Sequence, residues 1–188
     1  MGRINGNSER GLSRIMDNLR FPMGHFEPII NISQEERTKL INQIPEINKT
    51  LRNITKELEP DQLDLPYRQN GWTIKQIIHH LADNDMNAYI RFKRALTEDE
   101  PMASSYREDL WAELIDYTNL PVENSLILIE ILHNRFAVLL KGLKSDDFSR
   151  PLKTQVLGSI TLDIALQRFV WHNKHHIAQI ETSLQNIK

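Results

Sequence analysis

TLDIALQRFVWHNKHHIAQIETSLQN, residues 161–186, decides how the rest of the chain is read. Thr161 is a helix-capping residue, and no Gly or Pro follows it in the stretch. Apolar residues return at Leu162, Leu166, Phe169, Ile177, Ile180 and Leu184. That three-to-four spacing predicts a long amphipathic helix with one buried stripe. At about 100° per residue, His172 and His176 lie roughly 40° apart and flank the stripe, with Ala165 between them. His175 falls well outside it and is not expected to share a ligand position with the other two. Trp171 points away from the stripe, toward a partner surface or an N-terminal arm.

Three earlier segments carry the same periodicity. WTIKQIIHHLADNDMNAYIRF, residues 72–92, opens on a Thr73 cap, with Ile74, Ile77, Ile78, Leu81, Ala88 and Phe92 on one face. Its two histidines are adjacent and diverge by about 100°. His80 sits at the stripe edge and can reach toward the last helix, whereas His79 lies nearly opposite. Ser33 with Glu36 has the form of a capping box and starts a helix running to Leu58. Pro45 inside that stretch predicts two segments or a bend. Pro121 suits the first turn of an apolar helix reaching Leu143. Residues Glu108 to Tyr117 suggest a short helix, and Leu157-Gly158 a short hairpin.

Four main helices with almost no strand signal predict an all-α, four-helix bundle. The connection between the second and third helices is too long for a tight antiparallel turn, so those two can lie parallel through one crossover. Residues 1–18 read as a polar extension. LRFPMGHFEP, residues 19–28, reads as an extended arm packed on a domain spanning 19–188, because Pro22 and Pro28 argue against helix there.

Composition narrows the function. The 188 residues are 40% hydrophobic and 26% charged, with Lys+Arg 23 against Asp+Glu 25 and a formal charge of −2. No basic field is available for nucleic-acid phosphates, and no apolar run matches a membrane span. No secretory leader is recognisable, so a cytoplasmic location is expected. Cysteine is absent, which removes disulfides, thiolate metal sites and a Cys nucleophile.

Histidine carries the remaining signal. A pair at i,i+4 plus a third imidazole from another helix is a metal-site pattern, and His80, His172 and His176 are the expected ligands. Neutral imidazoles suit zinc, nickel, copper or iron, and three protein ligands leave a position open for chemistry. His133 stands at the edge of the third helix's apolar face, where it either lines the same cavity or is a hydrogen-bonded buried residue. Asn84, Asn87 and Arg91 follow His80 along its helix, as substrate contacts, as groups orienting a ligand, or as a solvated edge. His25 in the arm has no assignable role. No His-Glu-x-x-His is present, so a peptidase of that type is not expected.

LRFPMGHFEP, YRQNGWTIKQIIHHLADNDMNAYIRFKRALTEDEP (67–101) and GSITLDIALQRFVWHNKHHIAQI (158–180) together resemble the YfiT-type metal-dependent hydrolases of the DinB-like superfamily. The resemblance runs from about Leu19 to the C-terminus. It implies a four-helix bundle, one divalent metal per subunit (usually zinc or nickel) held by three His, and a cytoplasmic homodimer. In the superfamily the first ligand follows a Trp by eight residues, as His80 follows Trp72. Related DinB-like proteins include transferases of low-molecular-weight thiols such as bacillithiol, and mycothiol-dependent isomerases. Three functions are thus expected: a metal-dependent hydrolase acting on a small molecule, a metal-dependent thiol S-transferase with a low-molecular-weight thiol cosubstrate, or a non-catalytic metal-binding or dimerisation module.

Overall fold

The computed structural model describes residues 19–185. Its long helices are α1 (Gln34–Thr55), α2 (Ile74–Thr97), α5 (Val122–Lys141) and α6 (Leu162–Gln185), with two short helices, α3 (Glu108–Trp111) and α4 (Ile115–Asn119), between α2 and α5. An antiparallel hairpin, β1 (Pro151–Thr154) and β2 (Gly158–Thr161), precedes α6. The sequence signals act where expected. Ser33 and Glu36 form a reciprocal capping box on α1, and Thr73 and Gln76 do the same on α2. Thr161 Oγ1 accepts the Ile164 amide at the start of α6. Gly158, with φ +67°, supplies the left-handed residue of the hairpin turn.

Some expectations need correction. α1 runs through Pro45 as one continuous helix rather than two segments. Ile44 and Ile47 on either side are almost fully buried, so packing holds the helix across the one hydrogen bond that proline forfeits. Pro121 stands at the N-cap of α5, one residue before the helix proper. The expected short helix over 108–117 is two turns of helix, α3 and α4, separated by residues 112–114. The reading of residues 1–18 as an extension lies outside the described residues.

Named contacts fix the topology. Ile44 and Arg52 of α1 meet His133 and Glu123 of α5, so these helices run antiparallel. His79 and Asp85 of α2 meet Ser125 and His133 of α5, so these two run parallel, and residues 98–121 make the crossover. His80 meets His176 and Asp85 meets Asn173, so α2 and α6 are antiparallel. Each of α1 and α2 packs on both α5 and α6. The chain arm lies along α6, where Gln167 bonds both the amide and the carbonyl of Ile29 and Gln179 donates to the Arg20 carbonyl.

The core has two apolar halves. One contains Phe92, Phe136, Phe169 and the hairpin residues Leu152 and Ile160. The other contains Ile47, Ile77, Leu81, Leu126, Ile177 and Ile180. Along α2, α5 and α6 the residues between the halves are Asp85, His133 and Asn173, all at most 1% exposed. A polar layer therefore crosses the middle of the bundle. Most of its atoms are paired, as burial demands: Asp85 Oδ2 to His133 Nε2 at 2.7 Å, Asp85 Oδ1 to Asn173 Nδ2 at 2.9 Å, and His133 Nδ1 to the Ile44 carbonyl at 3.0 Å, while Asn173 Oδ1 has no partner among the described residues.

Candidate metal centre

At the level of this layer, α2 and α6 bring His80, His172 and His176 together. One ring nitrogen from each lies within 4.8 Å of the others. His80 Nε2 and His172 Nε2 are 3.4 Å apart. Two nitrogens at about 2.0–2.1 Å from a shared tetrahedral ion would be separated by roughly 3.3 Å, so this spacing fits a common cation. The antiparallel packing explains the convergence: one helical turn on α6 spans His172 to His176, and His80 enters between them from α2.

The electrostatics also fit. Burial pushes the His80 imidazolium down to about 4. His172 and His176 are driven well below the ordinary histidine value, first by burial and then by the neighbouring imidazoles. All three rings are therefore neutral at pH 7, the form that offers a lone pair to a metal. His176 Nδ1 lies 2.8 Å from Gln179 Oε1, so it is the protonated nitrogen and Nε2 keeps the lone pair. Gln179 is oriented in turn by the Arg20 carbonyl, which accepts from its Nε2. Trp72 covers the outer side, with its ring centroid 4.6 Å from that of His80 and nearly parallel to that of His176.

The other histidines lie elsewhere. His175 stays outside the cluster, yet it is buried rather than solvated, because Phe21 of the arm and a stacked Trp171 cover it. His79, read as facing away from the stripe, is also buried, with Nδ1 2.7 Å from Ser125 Oγ and its ring against Tyr117 of α4. The crossover segment and α5 cover a face that the helix wheel of α2 alone leaves open. His133 belongs to the polar layer and does not line the cavity described next. His25 is exposed in the arm.

A cavity of about 530 Å³ reaches the cluster at His172. Asn84, Arg91 and Arg168 line it beside His172, and the crossover segment closes it with Tyr106 and Glu108. Of the three α2 candidates, Asn84 and Arg91 face this space, while Asn87 turns back to the Asp83 carbonyl at 2.8 Å. Sequence reading missed Asp85, Asn173, Tyr106, Arg168 and Gln179. Gln179 stands three residues after His176 and Arg168 four before His172, both one-turn spacings that a search around the histidine pair could have used.

Comparison with known proteins agrees with this architecture. The sequence profile of the DinB superfamily matches residues 44–180. A protein of Oceanobacillus iheyensis, named as a candidate metal-dependent hydrolase, is 46% identical over 167 residues, covering 89% of this chain and 96% of that one. A Bacillus cereus protein of the same name is 41% identical over 90% of this chain and 97% of its own. Among solved structures, YfiT from Bacillus subtilis, described as a candidate metal-dependent hydrolase with an unusual four-helix-bundle topology, superposes with a TM-score of 0.88 at 40% identity. That superposition covers 90% of this chain and 98% of YfiT. A mycothiol-dependent maleylpyruvate isomerase shares the fold at 19% identity and a TM-score of 0.60, over 80% of this chain and 63% of its own.

Proposed function

The chain belongs to the DinB superfamily, and from that premise we propose that it is a metal-dependent hydrolase of small molecules, with His80, His172 and His176 as the ligands of one zinc or nickel ion. The observation that carries the reading is the convergence of three neutral imidazoles, His80 and His176 buried and His172 half-buried, with one ring nitrogen of each within 4.8 Å of the others, beside a cavity. A divalent ion there would keep its full charge and act as a Lewis acid, lowering the pKa of a water or thiol ligand toward neutrality. The chain's own residues do the rest. Gln179 fixes the tautomer of His176, and Trp72 screens the imidazoles from bulk water. Asn84 presents its amide to the cavity wall while donating to Asp85 Oδ1 at 3.2 Å.

A second reading, metal-dependent transfer of a low-molecular-weight thiol, is favoured by the carboxylates close to His80 in sequence. Asp83 accepts from the Tyr117 hydroxyl at 2.7 Å, and Asp85 is held by His133 and Asn173. Neither is free to serve as a general base for water, whereas a thiol ionised by the ion needs none. The test is metal analysis of untagged protein, then parallel assays on ester or amide substrates and on a chloro-nitroaromatic with and without added thiol. Thiol-independent ester or amide cleavage supports hydrolysis, and turnover only with thiol replaces it with transfer. Absence of stoichiometric metal sinks both. The homodimer is part of the same proposal: Ile127, Ile131 and Val138 leave an exposed apolar strip on α5, and sedimentation velocity measures the mass.

A further inference from the structure

Two sets of arginines contrast among the described residues. Arg37, Arg52, Arg94 and Arg107 each close on a carboxylate. The two that line the cavity with His172 do not. Arg168 makes no hydrogen bond or ion pair among the described residues. Arg91 donates once, from Nη2 to the Ser104 carbonyl, and its buried Nε has no partner. The hydroxyl of Tyr106, on the same wall, is also buried and unpartnered. Two buried donors, Arg91 Nε and the Tyr106 hydroxyl, thus lie beside one space without a protein acceptor, which is costly unless something enters, and the unpaired Arg168 guanidinium lines the same space.

The charge balance has a definite sign. Five charged side chains line the cavity: Arg91, Arg107, Arg168, Glu108 and Asp109. Arg107 and Asp109 neutralise each other at 2.6 Å. Two guanidiniums then face Glu108 alone, and Glu108 forms no ion pair with either of them. Burial and the nearby Asp109 carboxylate raise Glu108 toward its neutral form against the opposing pull of Arg168, and burial penalises both cations. The uncompensated charge is positive.

We propose that this cavity binds a small molecule through a carboxylate or other oxyanion gripped by Arg168 and Arg91, with Tyr106 donating to the same group. A guanidinium fork matches either a carboxylate or a phosphate. Arg168 stands one turn before His172 on α6, about 6 Å along the axis. An anion held there would carry its reacting atom a few bonds away, toward the three imidazoles. The assignment of that end as the reacting one rests on the metal-centre reading above; the anion site itself does not.

The experiment is calorimetric titration of the full chain, metal-free and metal-loaded, with succinate and separately with inorganic phosphate at low salt, alongside metal content by elemental analysis. Saturable binding of one anion is expected, weakened about tenfold to a hundredfold by Arg168→Met or Arg91→Met at unchanged metal content. Arg107→Met, whose target already has a partner, should bind as the wild type does. Tyr106→Phe removes one oxygen and should weaken binding several-fold, which keeps the test available if an arginine variant fails to fold. Preference for succinate or phosphate identifies the oxyanion. Absence of saturable binding of both anions, or equal binding by Arg168→Met and wild type, overturns the proposal. Intact anion binding in protein that takes up no metal would remove only the metal-centre reading.

Discussion

Replacing Asp85 and His133 by Leu, singly and together, tests the polar layer at the centre of the bundle. The Ile44 carbonyl can only accept, so His133 Nδ1 carries a proton. Asp85 Oδ1 already receives Nδ2–H groups from Asn173 at 2.9 Å and Asn84 at 3.2 Å. His133 Nε2 and Asp85 Oδ2 share a further hydrogen bond at 2.7 Å, and both side chains are 1% exposed. Removing one partner strands the buried polar group of the other and should cost about 1–3 kcal/mol. Each single variant should therefore lose roughly 2–12 °C in Tm for a chain of this size, and the double variant should lose less than the sum. Urea unfolding at pH 7 measures the cycle. His133→Leu should still hold one metal ion per chain if it folds, since it lies outside the three-His cluster. Additive losses, or single-variant losses below about 1 kcal/mol, would refute the coupling.

His172→Ala and His176→Ala should each abolish stoichiometric metal binding, because two imidazoles leave an incomplete site; elemental analysis reads it. His175→Ala should keep the metal, yet cost about 1–3 kcal/mol by opening the space between Phe21 and Trp171. Stability of the metal-free protein should fall on acidification. His80 titrates near 4 when folded against an ordinary 6.5, so its neutral-state stability is complete above about pH 6.5 and is lost as pH falls toward 4. That single group accounts for about 3 kcal/mol at most, and thermal melts between pH 7.5 and 4.5 give the slope. Gln179→Ala frees the His176 tautomer and should weaken metal affinity about tenfold to a hundredfold in a competitive chelator titration.

The periodicity of the four long helices was legible because each presents one stripe to a common core, and a stripe is a local property. The same logic placed His80, His172 and His176, since an i,i+4 pair and a stripe-edge residue are read from single helices. What a wheel cannot supply is what covers its polar side. His79 and His175 both lie off their stripes and both are buried, one under the crossover helix α4 and the other under the arm. Asp85 looks like an ordinary charged helix residue until His133 arrives from 48 positions away. The continuity of α1 through Pro45 is likewise a tertiary result, since the intrinsic cost of proline is offset by neighbours the local sequence does not contain.

The polar layer and the three-His cluster occupy one level of the bundle for a physical reason. Between Leu81 and Phe92, α2 contributes no large fully buried residue to either apolar half, and α6 does the same between Val170 and Ile177. There the two helices place Asp85 against Asn173 on one side and, from the position just before Leu81, His80 against His172 and His176 on the other. The first group bonds within the protein, Asn173 Oδ1 alone lacking a partner, and ties the interval to α1 and α5. The second is three lone pairs without donors, a set that the protein itself leaves incomplete. The fold thus separates a closed polar group that holds α2 and α6 in register from an open one that faces the cavity. A cation binding there would add its energy to a register the closed group has already fixed. For that reason the Asp85–His133 cycle should change stability far more than it changes metal stoichiometry, and the histidine variants should do the reverse.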